Sequence, residues 1–330
     1  MGFKHNLWFI SILLQHTINI LMSAYNFGIA IHGGAGTIEK SMMTAEKEKA
    51  YQEALQQAID TGYHLLEAGE SAIKAVEATV SELENCPLFN AGKGAVFNSV
   101  GQHEMDASIM DGKSLHAGAI AAVRNVKNPI LLANLVREHS DHVLLVGDGA
   151  LKFAEKFNVV IESDSYFHTD QRYDQWQKIR GSDAFQLDHT SEKQYLGTVG
   201  AVALDDKGNL AAATSTGGMT NKKYGRIGDS ALIGLGTYAN NNTCAVSCTG
   251  SGEYLMRGVT AYDISCLMEY KGLSLQAAAE FSIHDRLTGL GGDGGVVTID
   301  QKGNMAMVFN SEGMYRASRN QKHNEVAIYK

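Results

Sequence analysis

Proline is almost missing from this chain: two residues, Pro87 and Pro129, in 330. A collagen-like or proline-rich extended chain is excluded at once. Cysteine is scarce as well. Cys86, Cys244, Cys248 and Cys266 show neither the paired spacing of a zinc site nor the density of a disulfide framework, so they read as buried thiols in a reducing compartment. Basic charge is in deficit, with 28 Lys and Arg against 36 Asp and Glu and a net charge of −8. No stretch concentrates enough of it to follow a phosphate backbone, so nucleic acid is not an expected partner. Long apolar runs are also lacking. The longest, Leu7 to Leu14, is broken by Gln15, His16, Thr17 and Asn19 before the roughly 20 residues that a stable membrane span needs. Residues 1–26 therefore read as an N-terminal extension or a signal segment. The extension is favoured, because Met22 is a poor partner for Ala24 in a small-x-small cleavage site. The compartment expected is cytoplasmic; the alternative is periplasmic or secreted, if residues 1–24 act as a signal peptide.

What is abundant is glycine, 35 residues, in a chain that is 44% apolar and 19% charged. That composition belongs to a globular protein with an ample core. Phe27–Ile31 reads as a strand running into a glycine turn, His32–Gly36. The turn lacks the GxGxxG spacing and the Lys-Ser/Thr of a phosphate loop, which leaves a glycine-loop ligand- or nucleotide-binding module without catalysis as the weak alternative from another class. Two helices follow, capped by Thr44 and Ser71, with Gly69 between them. Cys86–Phe97 reads as a glycine-containing loop entering a strand, Met105–Gly112 and Ala117–Val123 as strands, and Pro129 as the first residue of a helix. His142–Val146 then reads as strand and Asp148–Phe157 as helix. From Glu162 to Leu196 no period is visible, and a flexible linker is expected over about 162–197.

Glycine density rises beyond that stretch: 16 of the 35 lie in residues 1–197 and 19 in the remaining 133. Thr198–Leu204 and Leu210–Ser215 flank Asp205-Asp-Lys-Gly208, a hairpin with a glycine turn, and Gly295–Ile299 and Met305–Phe309 repeat the design around Asp300-Gln-Lys-Gly303. Helices over about 253–269 and 274–287 lie between the hairpins. Paired strands with grouped helices predict an α+β protein of two stacked sheets covered by helices. Pairing the first hairpin about its turn sets Thr198 opposite about residue 215, which makes Thr198 and Thr216 neighbours. A hydroxyl is a weak nucleophile without a base, and a threonine at a chain start carries one, its α-amine, with an ordinary pKa of about 8. Cutting Gly197–Thr198 would create that group. Arg226 and Asp229, three residues apart in a glycine-bounded loop, suit a small zwitterionic end group.

The runs Gly197-Thr-Val-Gly-Ala-Val-Ala-Leu-Asp205, Ala213-Thr-Ser-Thr-Gly-Gly-Met-Thr-Asn221, Gly225-Arg-Ile-Gly-Asp-Ser230 and Cys248-Thr-Gly-Ser-Gly-Glu253 stand in order along the chain. Ile31-His-Gly-Gly-Ala-Gly36 and Asn90-Ala-Gly-Lys-Gly94 precede them. Together these motifs resemble the plant-type asparaginase and isoaspartyl peptidase family of N-terminal-nucleophile hydrolases, over roughly residues 27 to 316. The resemblance implies a four-layer αββα sandwich and a precursor that cleaves itself at Gly197–Thr198. The products would be an α subunit over residues 27–197 and a β subunit over 198–330, together forming one domain.

It further implies roles for individual residues. Thr198 is the nucleophile, and Thr216 hydrogen-bonds and positions it. The Thr249 hydroxyl and the Gly250 N–H form the oxyanion hole. Arg226 takes the substrate α-carboxylate and Asp229 its α-ammonium, with Asn90, Gly250 and Gly252 also against the substrate. The backbone carbonyls of Leu83, Glu84, Cys86, Phe89, Ala91 and Lys93 hold a structural sodium ion, as oxygen-only ligation suits a hard cation. No other cofactor is required. The implied substrates are L-asparagine and β-aspartyl dipeptides, and the implied assembly is a dimer of αβ units. His32 reads as structural, because an amine-activated threonine needs no further base. Two positions depart from the pattern: Ala231 stands where proline is usual, and Asp293 puts a charge in a glycine-rich turn. Within the superfamily the runner-up is a glycosylasparaginase, but Gly197 and the run Thr249-Gly-Ser-Gly-Glu253 favour the asparaginase branch.

Overall fold

The computed structural model describes residues 26–182 and 197–330, so the N-terminal extension and the part of the expected linker from 183 to 196 lie outside the described residues. Twelve strands, β1 (Gly28–Gly36), β2 (Met105–Asp111), β3 (Ala117–Val123), β4 (Leu144–Val146), β5 (Val199–Leu204), β6 (Leu210–Thr216), β7 (Thr237–Ala239), β8 (Cys244–Gly250), β9 (Gly294–Asp300), β10 (Met305–Phe309), β11 (Gly313–Asn320) and β12 (Asn324–Tyr329), form two sheets among the described residues. One has the order β12-β11-β1-β5-β6-β2-β3-β4 and the other β10-β9-β8-β7.

Alternation along the strands decides what each face meets. Odd positions of β5 and β6, such as Val199, Ala201 and Ala213, join a core with Ile29, Ile31 and Ile109. That core also takes Leu55 and Ile59 of α1 (Ala45–Glu67), Val76 and Leu83 of α2 (Ala72–Asn85), Leu132 and Val136 of α3 (Pro129–His139), and Ala150 and Ala154 of α4 (Gly147–Lys156). Even positions, Val202, Leu204, Leu210 and Ala212, join Ala30 and Met110 in a second core with Ala245, Val297 and Ile299 of the smaller sheet. The far side of β8 and β9, Val246, Cys248 and Val296, packs on Leu255 of α7 (Gly252–Gly258), Ile264 of α8 (Thr260–Lys271) and Ala278 of α9 (Leu275–Glu280).

The first hairpin pairs Leu204 with Leu210 and Val199 with Ser215, so the next step of the register sets Thr198 beside Thr216. Both hairpin turns use one device. Asp205 Oδ1 accepts from the N–H of Lys207 and Asn209, as Asp300 Oδ1 does from Lys302 and Asn304. Thr44 caps α1 through its side chain and the Lys47 N–H; Ser71 occupies the corresponding position before α2 without such a bond.

Four expectations are corrected. His32–Gly36 is not a turn: it continues β1 along β11, with a bulge between His32 and Gly34, so Gly33 serves close packing on the Phe89 ring and the segment forms no phosphate loop. The loop from Cys86 enters no strand and contains one 3-10 turn, Gly92–Gly94. The helix expected over 253–269 is broken at Val259, which takes a left-handed conformation with φ of 50°.

The last correction concerns the stretch from 162, which carries α5 (Asp164–Phe167) and α6 (Asp170–Ile179). Its period was hidden because the buried face of α6 is polar: Arg172 and Gln175 are inside, with Arg172 Nε donating to the Gly94 carbonyl at 3.0 Å. Trp176 completes this docking by stacking on Phe97. No helix among the described residues is long and apolar enough to cross a membrane.

Candidate active site

The same alternation that fills the space between the sheets with apolar groups turns polar at one end. Continuing β5 from Leu204 through Val202 and Gly200 reaches Thr198, and continuing β6 from Leu210 through Ala212 and Thr214 reaches Thr216. On β8 the sequence Ala245, Ser247, Thr249 follows the same rule. Three threonines thus arrive at one rim because each lies an even number of residues from a core position. Thr198 Oγ1 donates to Thr216 Oγ1 at 3.1 Å, and Thr216 Oγ1 also accepts the Gly218 N–H at 3.0 Å.

A narrow cleft opens there, lined by Asn90, Gly197, Thr198, Thr216, Arg226, Asp229 and Gly250 among the expected residues. Gly218, Met219, Gly228 and Ser230 complete it. Two expected residues, Thr249 and Gly252, are not among those lining it. Thr249 is buried and its hydroxyl accepts the Ala35 N–H at 3.3 Å, which leaves its own proton to be donated. Gly250, at φ of +129°, turns the chain out of β8. Gly252 makes room for charge: a Cβ there would sit 2.8 Å from Arg226 Nη2 and 2.9 Å from Asp229 Oδ1.

Asn90 is tied on both sides. Its Nδ2 donates to the Gly218 carbonyl at 2.7 Å, its Oδ1 accepts the Val96 N–H at 3.0 Å, and its main-chain carbonyl accepts the Gly217 N–H at 3.0 Å. It therefore locks the segment after Thr216 to the loop that follows α2.

The charged pair is asymmetric. Arg226 is held by Glu253, a residue for which no role was expected: Nε donates to Oε1 at 2.8 Å and Nη2 to Oε2 at 2.9 Å. Burial alone would raise the Glu253 carboxyl, but these two bonds overcome it and hold the pKa below its ordinary value. Asp229 is buried, and its Oδ2 has no hydrogen-bond partner. Burial pushes its pKa up to about 7, against the pull of the Arg226 guanidinium. A buried, unpartnered carboxylate oxygen beside a fixed guanidinium is suited to a ligand that brings an ammonium and a carboxylate.

His32 also reaches the site. Its ring is buried, its pKa is pushed down to about 3 by that burial, and it contacts the Thr198 carbonyl at 3.0 Å. Its position, two residues past Ala30 in β1, was readable; its contact with the nucleophile's residue was not.

The loop proposed for sodium folds back tightly. A Cβ at Gly92 would lie 2.4 Å from the Glu84 carbonyl oxygen and one at Gly94 2.0 Å from that of Phe89, so the loop passes each of these carbonyls at a distance that only glycine allows. The Leu83 and Ala91 carbonyls already accept N–H groups of the same loop. Among the described residues no His, Cys, Asp and Glu side chains cluster as metal ligands.

Residues 25–328 match the family model described as asparaginase. The isoaspartyl peptidase of Escherichia coli strain K12 is 54% identical over 293 residues, covering 88% of this chain and 91% of its own length. The isoaspartyl peptidase/L-asparaginase of Xenopus laevis is 41% identical over 91% of this chain and 94% of its own, and that of Mus musculus 41% over 87% and 86%.

Proposed function

The chain belongs to the asparaginase family, and from that premise we propose that it is an isoaspartyl peptidase and L-asparaginase made competent by its own cleavage at Gly197–Thr198. The observation that carries the reading is the cleft that Thr198, hydrogen-bonded to Thr216, shares with Arg226 and the buried Asp229 carboxyl. In the first step Thr198 Oγ1 attacks the Gly197 carbonyl carbon. The C–N bond breaks as the hydroxyl proton passes to the departing nitrogen, and water hydrolyses the resulting ester. The products are the Gly197 carboxylate and the free Thr198 amine.

In turnover that amine accepts the Thr198 hydroxyl proton, and Oγ1 attacks the side-chain carbonyl of the substrate. The Thr249 hydroxyl and the Gly250 N–H stabilise the oxyanion. Ammonia, or the amino acid of a β-aspartyl dipeptide, departs with the proton, and water releases L-aspartate. Arg226, braced by Glu253, takes the α-carboxylate, and Asp229 takes the α-ammonium beside Gly252. Asn90 fixes the Thr216 segment against the substrate. Measuring kcat/KM for L-asparagine and for a β-aspartyl dipeptide tests the proposal: activity on neither would overturn it, and release of a sugar amine from a glycosyl-asparagine would redirect it.

The layered arrangement is read as an αββα sandwich, supported by three apolar cores, two of sheet against helix and one shared by the sheets. The carbonyls of Leu83, Glu84, Cys86, Phe89, Ala91 and Lys93 would hold a sodium ion that braces the loop carrying Asn90; the ion would supply charge, not chemistry. Two αβ units would pair. The surface offered for this is the edge strand β4, where Leu144 and Val146 are exposed, with Val143 exposed just before it.

A further inference from the structure

Between the sheets, at their polar end, five buried side chains form one hydrogen-bonded chain. His32 Nδ1 lies 3.0 Å from the Thr198 carbonyl, and its Nε2 lies 2.8 Å from Ser247 Oγ. Ser247 Oγ is 2.7 Å from Thr214 Oγ1, which accepts from Thr237 Oγ1 at 2.6 Å. Thr237 Oγ1 is 2.8 Å from Ser108 Oγ, which donates to the Ser230 carbonyl at 2.6 Å. One end is therefore the main chain of Thr198, and the other is the residue after Asp229. All five side chains are fully buried. A row of buried hydroxyls where either sheet could present alanine or valine is costly unless every member is bonded.

The chemistry of the ends fixes the tautomer. A carbonyl only accepts, so Nδ1 carries the proton toward Thr198, and Nε2 must accept from the Ser247 hydroxyl. Burial keeps the ring neutral. A second observation comes from β5. Gly200 lies opposite His32 in the β1–β5 ladder, and a Cβ there would sit 2.0 Å from Ser247 Oγ and 2.4 Å from His32 Nε2. The strand carries a glycine where this pair passes.

We propose that His32, held by Ser247 and the Thr214–Thr237–Ser108 hydroxyls, is a positioning residue for Thr198. By fixing the Thr198 carbonyl it sets the peptide plane after the nucleophile, and with it the direction of the α-amine and of Cβ–Oγ1. His32 touches no reacting atom. Its contribution is to the geometry of attack, where a displacement of about 1 Å is worth about a hundredfold in rate. His32 itself makes no bond to Arg226 or Asp229; its two partners are the Thr198 carbonyl and Ser247. The inference rests on the reading of Thr198 as nucleophile.

The test compares two replacements in the full chain, with rates taken per cleaved molecule. His32→Asn keeps a donor near the Nδ1 position, whereas His32→Gln reaches toward Ser247 and leaves the Thr198 carbonyl without its donor. His32→Gln should lose about a hundredfold in kcat with KM within about twofold, and His32→Asn should recover most of that loss. A His32→Gln chain that stays uncleaved while His32→Asn cleaves supports the proposal equally, since Thr198 acts in both steps. Ser247→Ala, which frees the tautomer without enlarging any side chain, should lower kcat by about tenfold. In ¹⁵N-histidine spectra the His32 proton should reside on Nδ1. Unchanged kcat in folded His32→Gln and Ser247→Ala, or a loss that falls wholly in KM, would overturn the inference. Thr198→Ala separates the two levels: if it is inactive, such a result sinks the positioning role alone, whereas an active Thr198→Ala sinks the nucleophile.

Discussion

Asp229→Asn should make the ligand-free protein more stable while damaging its affinity for substrate. In the fold the carboxyl is buried with Oδ2 unpartnered, and its pKa rises from 3.8 to about 7. The unfolded chain ionises this group near pH 4, whereas the native state holds its proton until about pH 7. Between those values the native state binds more protons than the unfolded one, so stability falls as pH rises, and above pH 7 the deficit is complete. About three pH units at roughly 1.4 kcal/mol each give a deficit on the order of 4 kcal/mol. Asparagine cannot ionise. The variant's advantage should therefore be near zero at pH 4 and should grow to its full value by pH 8. The same substitution removes a charge-assisted bond to the substrate ammonium, about 1.5–3 kcal/mol, so KM should rise about ten- to a hundredfold with self-cleavage intact. Thermal unfolding at pH 5, 6, 7 and 8, with kinetics on L-asparagine, measures both effects. A stability difference that does not change with pH, or an unchanged KM, would refute the reasoning.

Arg226→Ala and Thr249→Val should divide the kinetics between them. The first should raise KM by about ten- to a hundredfold with cleavage intact, and the second should cut kcat by about a hundredfold with little change in KM; initial-rate measurements on a β-aspartyl dipeptide would show an exchange of these effects if the roles were misassigned. Replacing sodium with choline in the buffer should lower the Tm, and an identical Tm in both salts would dismiss the loop carbonyls as a cation site. Val146→Glu on the exposed edge strand should shift sedimentation from the mass of two αβ units to that of one; an unshifted boundary would place the contact elsewhere.

The site was legible in the sequence where it depends on local register. One hairpin turn and a two-residue period suffice to bring Thr198 to Thr216, and the structure pairs them through Val199 and Ser215. The Arg226 and Asp229 loop was legible from its charges and glycines. Partners supplied from a distance were not. Glu253 braces Arg226 across 27 positions and His32 meets Ser247 across 215, separations that no spacing rule encodes. The helices at 164–179 escaped for a different reason: their inward residues include Arg172 and Gln175, so burial there follows hydrogen bonding to the Gly94 carbonyl and aromatic stacking through Trp176, with no apolar stripe to read. His32–Gly36 misled in the opposite direction, because a glycine chosen for contact with Phe89, as Gly33 is, looks the same in sequence as a glycine chosen for a turn.

The central claim, that Thr198 becomes the nucleophile by freeing its own amine, is tested most directly by N-terminal sequencing and denaturing gels of purified protein after prolonged incubation. The wild-type chain should yield a fragment of about 14 kDa, the 133 residues from Thr198 onward, beginning Thr-Val-Gly, with hydrolysis of β-aspartyl substrate appearing in step with it. Thr198→Ala should remain one chain and inactive. A wild-type chain that hydrolyses substrate while still whole, or a new N-terminus at any other residue, would contradict the account.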